Sequence, residues 1–139
     1  MTEFSPQPFS HTIGELLGIK NTEYTKERVV CVMEVGQRHL QPFGLMHGGV
    51  SGVIAETVAS LGSLQFIDQT ISNIVGIELN MNHIRSAYPG NVLTAVGQPV
   101  HAGRKILVWE IRIYNEEEKL VCSSRCTIAV VDKPKTGAV

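Results

Sequence analysis

The stretch that most constrains this chain is Gly48 to Ile67, GGVSGVIAETVASLGSLQFI, which holds a single charge, Glu56. Val50, Val53, Ile54, Val58, Leu61, Leu64 and Ile67 recur at three- and four-residue steps. The pattern predicts a long helix that is apolar over most of its circumference. The rest of the chain must then cover it. A second stripe, Gly49, Gly52, Glu56, Ala59/Ser60 and Ser63, carries small residues that would let another backbone approach closely. Ahead of the helix, Gln41-Pro42-Phe43-Gly44 has the composition of a turn.

Glu56 stands in the middle of the small-residue stripe with apolar neighbours on either side. A lone carboxylate there is costly unless it is paired, hydrogen-bonded or protonated. It reads either as a structural acid satisfied at a packing contact or as a catalytic carboxylate. Gly48 and Gly49 add a second feature. Lacking side chains, they can present their N–H groups to a ligand at a helix start, where unpaired donors and the dipole favour developing negative charge. His47 and Gln41 stand just before them. A glycine pair can equally do no more than relieve crowding at the cap. Together, an anion-stabilising helix start and an isolated acid on one helix suit attack on a carbonyl.

Around the helix the chain reads mostly as strands. Thr12 and Glu15 form a capping-box pattern for a short helix with Ile13, Leu16 and Leu17 as its apolar face, and Gly18 ends it. Residues 19–25 are ambiguous, and 28–35 (RVVCVMEV) read as a well-buried strand. Asp68-Gln69-Thr70 breaks the long helix. Residues 71–83 then resume as a strand, with Ile77, Leu79 and Met81 on one face and Glu78, Asn80 and Asn82 on the other. Pro89-Gly90 turns into a strand over 91–100, in which Gly97 and Pro99 mark a bend or an edge. Residues 105–114 (KILVWEIRIY) and 119–131 (KLVCSSRCTIAVV) are the last two strands. One long helix followed by hairpin-linked strands is an α+β plan, a curved antiparallel β-sheet wrapped around a central helix.

With 139 residues and 15.2 kDa, the chain is expected to form one domain over 1–139, with loose ends at 1–11 and 132–139. A net charge of −1 gives no field for nucleic acid or for an anionic membrane surface. No apolar run reaches the roughly 20 residues of a spanning helix. No signal peptide is evident in MTEFSPQPFSH, so a cytoplasmic location is expected. Cys31, Cys122 and Cys126 read as free thiols, and the histidines at 11, 39, 47, 83 and 101 show no metal-ligand spacing.

Several spaced motifs resemble one family. Gln41-Pro42-x-Gly44-x-x-His47-Gly48-Gly49, with Glu56 and Ser60 following, is similar to the hotdog-fold acyl-CoA thioesterases, closest to the 4-hydroxybenzoyl-CoA and 1,4-dihydroxy-2-naphthoyl-CoA type. The likeness continues through Val75-Gly76-x-Glu78-Leu79-Asn80, His83-x-Arg85, Gln98-Pro99-x-His101-x-Gly103-Arg104 and Trp109-Glu110, covering residues 12–131. The resemblance implies that Glu56 is the nucleophile or general base and that the Gly48 N–H polarises the thioester carbonyl. Gln41 and His47 would order that site, and Ser60 would help place the carboxylate or a water. Gly49, Gly76, His83, Arg85 and Ser86, with the turn His101, Gly103, Arg104 and Lys105, would line the acyl and CoA channel. No cofactor or metal is implied beyond the CoA of the substrate.

Two other functions share this pattern, a non-hydrolytic acyl-CoA sensor or carrier and a hotdog-type hydratase or dehydratase. Glu56 argues against the first, and the lack of a paired His beyond His47 and His83 argues against the second. Assembly follows from helix geometry. Gly48 and Glu56, eight residues apart, are separated by roughly 12 Å along a helix axis, too far for one chain to supply both groups to one carbonyl. Two such helices, antiparallel about a two-fold axis and approaching through the small-residue stripe, would solve this. A homodimer with shared active sites is therefore expected, compatible with further pairing into a tetramer. The acyl group, aromatic or medium-chain, would lie among Phe43, Leu45, Met46 and the strand faces.

Overall fold

In a computed structural model, residues 9–135 are described. A short helix α1 (Ile13–Leu17) is followed by β1 (Lys20–Tyr24), β2 (Val29–Glu34) and a 3-10 turn (Gln37–His39). The long helix α2 (Gly48–Leu64) comes next, then β3 (Ser72–His83), β4 (Val92–Ala102), β5 (Ile106–Tyr114) and β6 (Leu120–Asp132). All strands join one antiparallel sheet in the order β1-β2-β4-β5-β6-β3, curved around α2. The helix touches every strand from β2 to β6.

Side chains alternate in burial along β5. Leu107, Trp109, Ile111 and Ile113 are all buried, facing Ile54, Val58 and Leu61 of α2. Each of these side chains contributes about 1.5–3 kcal/mol when removed from water.

The small-residue stripe faces this sheet as well. A Cβ on Gly62 would come within 2.2 Å of the Trp109 ring, and Ser63 Oγ accepts the Trp109 indole N–H at 2.9 Å. A Cβ on Gly52 would meet Met81 at 3.1 Å. Of the stripe, Gly52, Ala59 and Ser63 are buried in the chain's own core, while Glu56 and Ser60 border an open groove and Gly49 is exposed. The helix needs small residues there because a curved sheet holding a tryptophan packs closely on it.

On β3 the register shifts between Gly76 and Glu78, leaving Ile77 as the extra residue of a β-bulge. A one-residue slip moves the following side chains to the other face. Leu79 and Met81 pack on the core, but Gly76 replaces Ile77 on the helix-facing side, and Ile77 is 56% exposed. A second bulge falls between Pro99 and His101, at the expected bend; Pro99 pairs with Trp109 of β5 and lies past Gly97, where the pairing with β2 ends.

Several boundaries also differ from the sequence reading. Helix α2 stops at Leu64, three residues before Ile67, with Gln65 as its C-cap. The short helix has no side-chain cap. Thr12 Oγ1 donates to Phe9 O instead, and Glu15 accepts from His11 N. Its expected apolar face is largely in solvent, since Ile13 is 55% and Leu16 64% exposed, while Gly14 packs under Phe9. Of the ends expected to be loose, residues 1–8 and 136–139 lie outside the described residues. Phe9 packs on the core, Asp132 belongs to β6, and Lys133 N donates to Ile71 O at 2.8 Å, so these positions are structured.

Candidate active site

The approach to α2 is fixed from both sides. Gly44 N donates to Gln41 O at 3.0 Å and Gln41 N to Leu45 O at 2.9 Å, closing a turn that needs the left-handed φ of +85° at Gly44. Gln41 Oε1 accepts the Phe43 N–H, which leaves the Gln41 amide NH₂ as the free end. Below the turn lies a residue that no motif or spacing singles out. His39 is buried, its Nδ1 accepting from Gly36 N at 2.8 Å, so its Nε2–H donates to Leu17 O at 2.8 Å. Its carbonyl then accepts His47 N at 2.8 Å, tying α1, the 3-10 turn and the start of α2 together. His39→Ala would leave a cavity and two orphaned backbone groups. It should lower the stability measured by chemical denaturation by about 2–4 kcal/mol.

At the helix start, His47 is the N-cap. Its Nδ1 accepts the Gly49 N–H at 2.8 Å, and Val50 N turns back to His47 O at 3.0 Å. The Gly49 donor is thus occupied by the His47 ring. The Gly48 N–H has no acceptor among the described residues. A Cβ on Gly48 would come within 2.8 Å of His83 Nε2, so the imidazole of His83 covers this glycine. Gly48, Gln41, His83, Arg85 and Ser86 share one cleft of ≈ 290 Å³, floored by buried Met46, Ser51, Ala87 and Val121. Arg85 Nη1 donates to Leu120 O at 2.7 Å at its rim. Leu45 and Met46 line this cleft, but Phe43 is 89% exposed.

Glu56 and Ser60 are elsewhere. They line a second groove, of ≈ 400 Å³, whose apolar wall includes Phe9, Ile13, Val53, Leu61 and Leu64. The half-buried Glu56 carboxylate makes no ion pair or hydrogen bond among the described residues. It rests instead against the β3 backbone. A Cβ on Gly76 would stand 2.0 Å from Glu56 Oε1, so Gly76 is the seat of the carboxylate. The bulge at Ile77 brings this glycine onto the helix-facing side. Beneath it, burial and then the nearby Glu56 and Glu78 charges push the Cys126 thiol up to about 12, and burial pushes Cys31 up to about 11. Both therefore stay protonated packing groups. Gly76→Ala should displace the Glu56 carboxylate by about an ångström, measured in a structure of the variant.

The remaining expected binding residues sit on the β4–β5 turn. Gly103 N donates to Ile106 O at 2.9 Å, and a Cβ on Gly103 would meet His101 Nε2 at 2.7 Å. Arg104 and Lys105 are exposed and form no ion pair among the described residues. Cross-strand pairing runs Ala102–Leu107–Ile128–Gly76, so the turn closes the same row of the sheet that seats Glu56, three strand spacings or about 14 Å away. His83 pairs with Cys122 and through it with Ile113, at the opposite end of the sheet. The structure thus gathers Gln41, Gly48, His83, Arg85 and Ser86 at one end. It groups Glu56, Ser60 and Gly76 nearer the other.

Residues 43–122 match the thioesterase superfamily. The chain is 44% identical over 123 residues to the 1,4-dihydroxy-2-naphthoyl-CoA hydrolase of Listeria monocytogenes, covering 88% of this chain and 98% of that one. It is 40% identical over 121 residues to the proofreading thioesterase EntH of Cronobacter turicensis, covering 86% of each. The crystal structure of a mutant thioesterase from Pseudomonas aeruginosa superposes with a TM-score of 0.88 at 35% identity, covering 95% of this chain and 97% of that one. A single central helix in a curved six-stranded antiparallel sheet is the hotdog architecture that these proteins share. The chain belongs to the thioesterase superfamily, and it is a thioester hydrolase.

Proposed function

We propose that the protein hydrolyses an aromatic or medium-chain acyl-CoA to the free acid and CoA, in active sites shared between two copies of the chain. The observation that carries this reading is the separation of its two chemical groups. The open Gly48 N–H lies in one cleft and the unpartnered Glu56 carboxylate in another. Each half lacks what the other supplies. In the composite site the thioester oxygen accepts from Gly48 N–H of one chain, while Glu56 of its partner acts at the carbonyl carbon. Glu56 either attacks directly, forming a mixed anhydride that water cleaves, or removes a proton from the attacking water. Both routes expel CoA thiolate and need no metal or resident cofactor.

Pairing of two copies is supported by β3. This 12-residue strand is one edge of the sheet, pairs only with β6 among the described residues, and leaves Val75 and Ile77 exposed. A long bare edge of that kind suits pairing with the same strand of a second copy about a two-fold axis. Among the described residues no helix is long and apolar enough to cross a membrane.

CoA phosphates would meet Arg104 and Lys105 on the β4–β5 turn, and Arg85 at the other cleft's rim. Contacts so far from the carbonyl bind ground and transition states alike. Arg104→Gln should therefore raise KM for the full CoA thioester severalfold with kcat held, and leave a truncated pantetheine thioester unaffected. Equal losses on both substrates would move the nucleotide elsewhere. The test of the function itself is thiol release from a panel of acyl-CoAs. Turnover concentrated on aromatic or medium-chain members is expected, and no turnover of any would overturn the reading.

A further inference from the structure

Ser51 is a buried polar side chain that the mechanism above leaves unused. It lies on the first turn of α2, three residues after Gly48, and is 1% exposed on the floor of the Gly48 cleft. Its Oγ is fully enclosed and finds no hydrogen-bond partner among the described residues. Serine inside a helix ordinarily turns back to a carbonyl one turn earlier, as Thr57 does to Val53 O at 2.6 Å. The Cys122 thiol lies beside Ser51 but short of hydrogen-bond geometry. Burial pushes that thiol's pKa up by more than the neighbouring Ser51 hydroxyl lowers it, so the thiol remains a protonated and weak partner for that hydroxyl.

An orphaned buried hydroxyl destabilises the fold, and alanine at this helix position would avoid the cost. A stability cost at the floor of a ligand cleft is characteristic of a functional group. Direction adds to this. Side chains on a helix tilt toward its N-terminus, and residues three apart share a face, so Ser51 and the Gly48 N–H lie on the same side of the helix start. We propose that the Ser51 hydroxyl is a second hydrogen-bond donor to the substrate's carbonyl oxygen, acting together with the Gly48 N–H. The inference rests on the thioester-hydrolysis reading for its substrate, but the contact it asserts is with a carbonyl and can be measured without turnover.

Two CoA analogues isolate that contact. One carries an aryl ketone joined to the sulfur through a methylene, which keeps the carbonyl but cannot be hydrolysed. The other is the corresponding thioether without a carbonyl. Wild type should prefer the ketone, and Ser51→Ala should lose about tenfold in affinity for it while binding the thioether as before. The same variant should melt no lower than wild type, and its kcat should fall by about ten- to a hundredfold. Ser51→Cys, which keeps the volume with a weaker donor, should lose ketone preference in the same direction.

Ketone affinity and kcat both within twofold of wild type in Ser51→Ala would overturn the proposal. So would a variant that fails to fold, because the hydroxyl would then be structural, provided Ser51→Cys keeps its ketone preference. If wild type hydrolyses no thioester yet loses its ketone preference in Ser51→Ala, the hydrolytic reading fails and the Ser51 contact stands.

Discussion

Glu56→Gln should fold like the parent, bind CoA as well, and hydrolyse its best thioester at least about a hundredfold more slowly. The size follows from losing either a nucleophile or a general base, each of which supplies about 10²–10⁴ in rate. Intact folding follows from the surroundings of the side chain. The Glu56 carboxylate has no hydrogen bond or ion pair to lose among the described residues, and glutamine is close enough in shape to rest on Gly76. Most buried structural acids behave in the opposite way, because removing one partner of a satisfied pair strands the other at several kcal/mol. Unfolding midpoint and kcat therefore separate the two roles in a single variant. Near-normal turnover in Glu56→Gln would end the catalytic assignment, whatever the fold.

The same residue shows how far the sequence could be read. A carboxylate alone among twenty apolar and small residues is visible without coordinates, because burying an unpaired charge needs a reason. The order of elements was visible too, since a 3.6-residue period followed by period-two runs leaves little choice of architecture. What periodicity cannot supply is the identity of the neighbour. The small residues Gly52 and Ser63 announce a close approach but not what approaches: Gly52 meets Met81 and Leu79 of β3, and Ser63 the Trp109 indole of the same chain.

Parity fails in a similar way at Ile77. A bulge adds one residue with no change in composition, and counting by twos then places Ile77 where Gly76 stands. The position of Gly76 directly before a break in alternation was the available signal. The two helix-start glycines look equivalent in sequence, yet the His47 ring occupies the Gly49 donor and leaves the Gly48 donor open. That distinction depends on a side-chain rotamer, which no pattern of residue types encodes. His39 was equally silent. A histidine whose ring makes two backbone links looks the same in sequence as any solvated one.

Activity should reappear when two inactive variants are mixed. Glu56→Ala removes the carboxylate, and Gly48→Val forces a side chain into the His83 imidazole, 2.8 Å from where its Cβ would lie. Each homodimer then carries two defective sites. A heterodimer concentrates both defects in one site and leaves the other intact, with Gly48 from the first chain and Glu56 from the second. Random exchange at equal concentrations makes about half the dimers mixed, each with one working site of two, so roughly a quarter of wild-type specific activity should return. The expectation depends on geometry more than on the identity of the substrate. The two groups lie in separate clefts of one chain, about 12 Å apart along the axis of α2, whereas a polarised carbonyl and its attacker must meet within about 3 Å. Exchange can be proven independently by mass-tagging one variant. Tagged heterodimers with no recovered activity would rule the shared site out, as would a monomer with full activity at assay concentration. Recovery near a quarter would assign Gly48 and Glu56 of each working site to different chains.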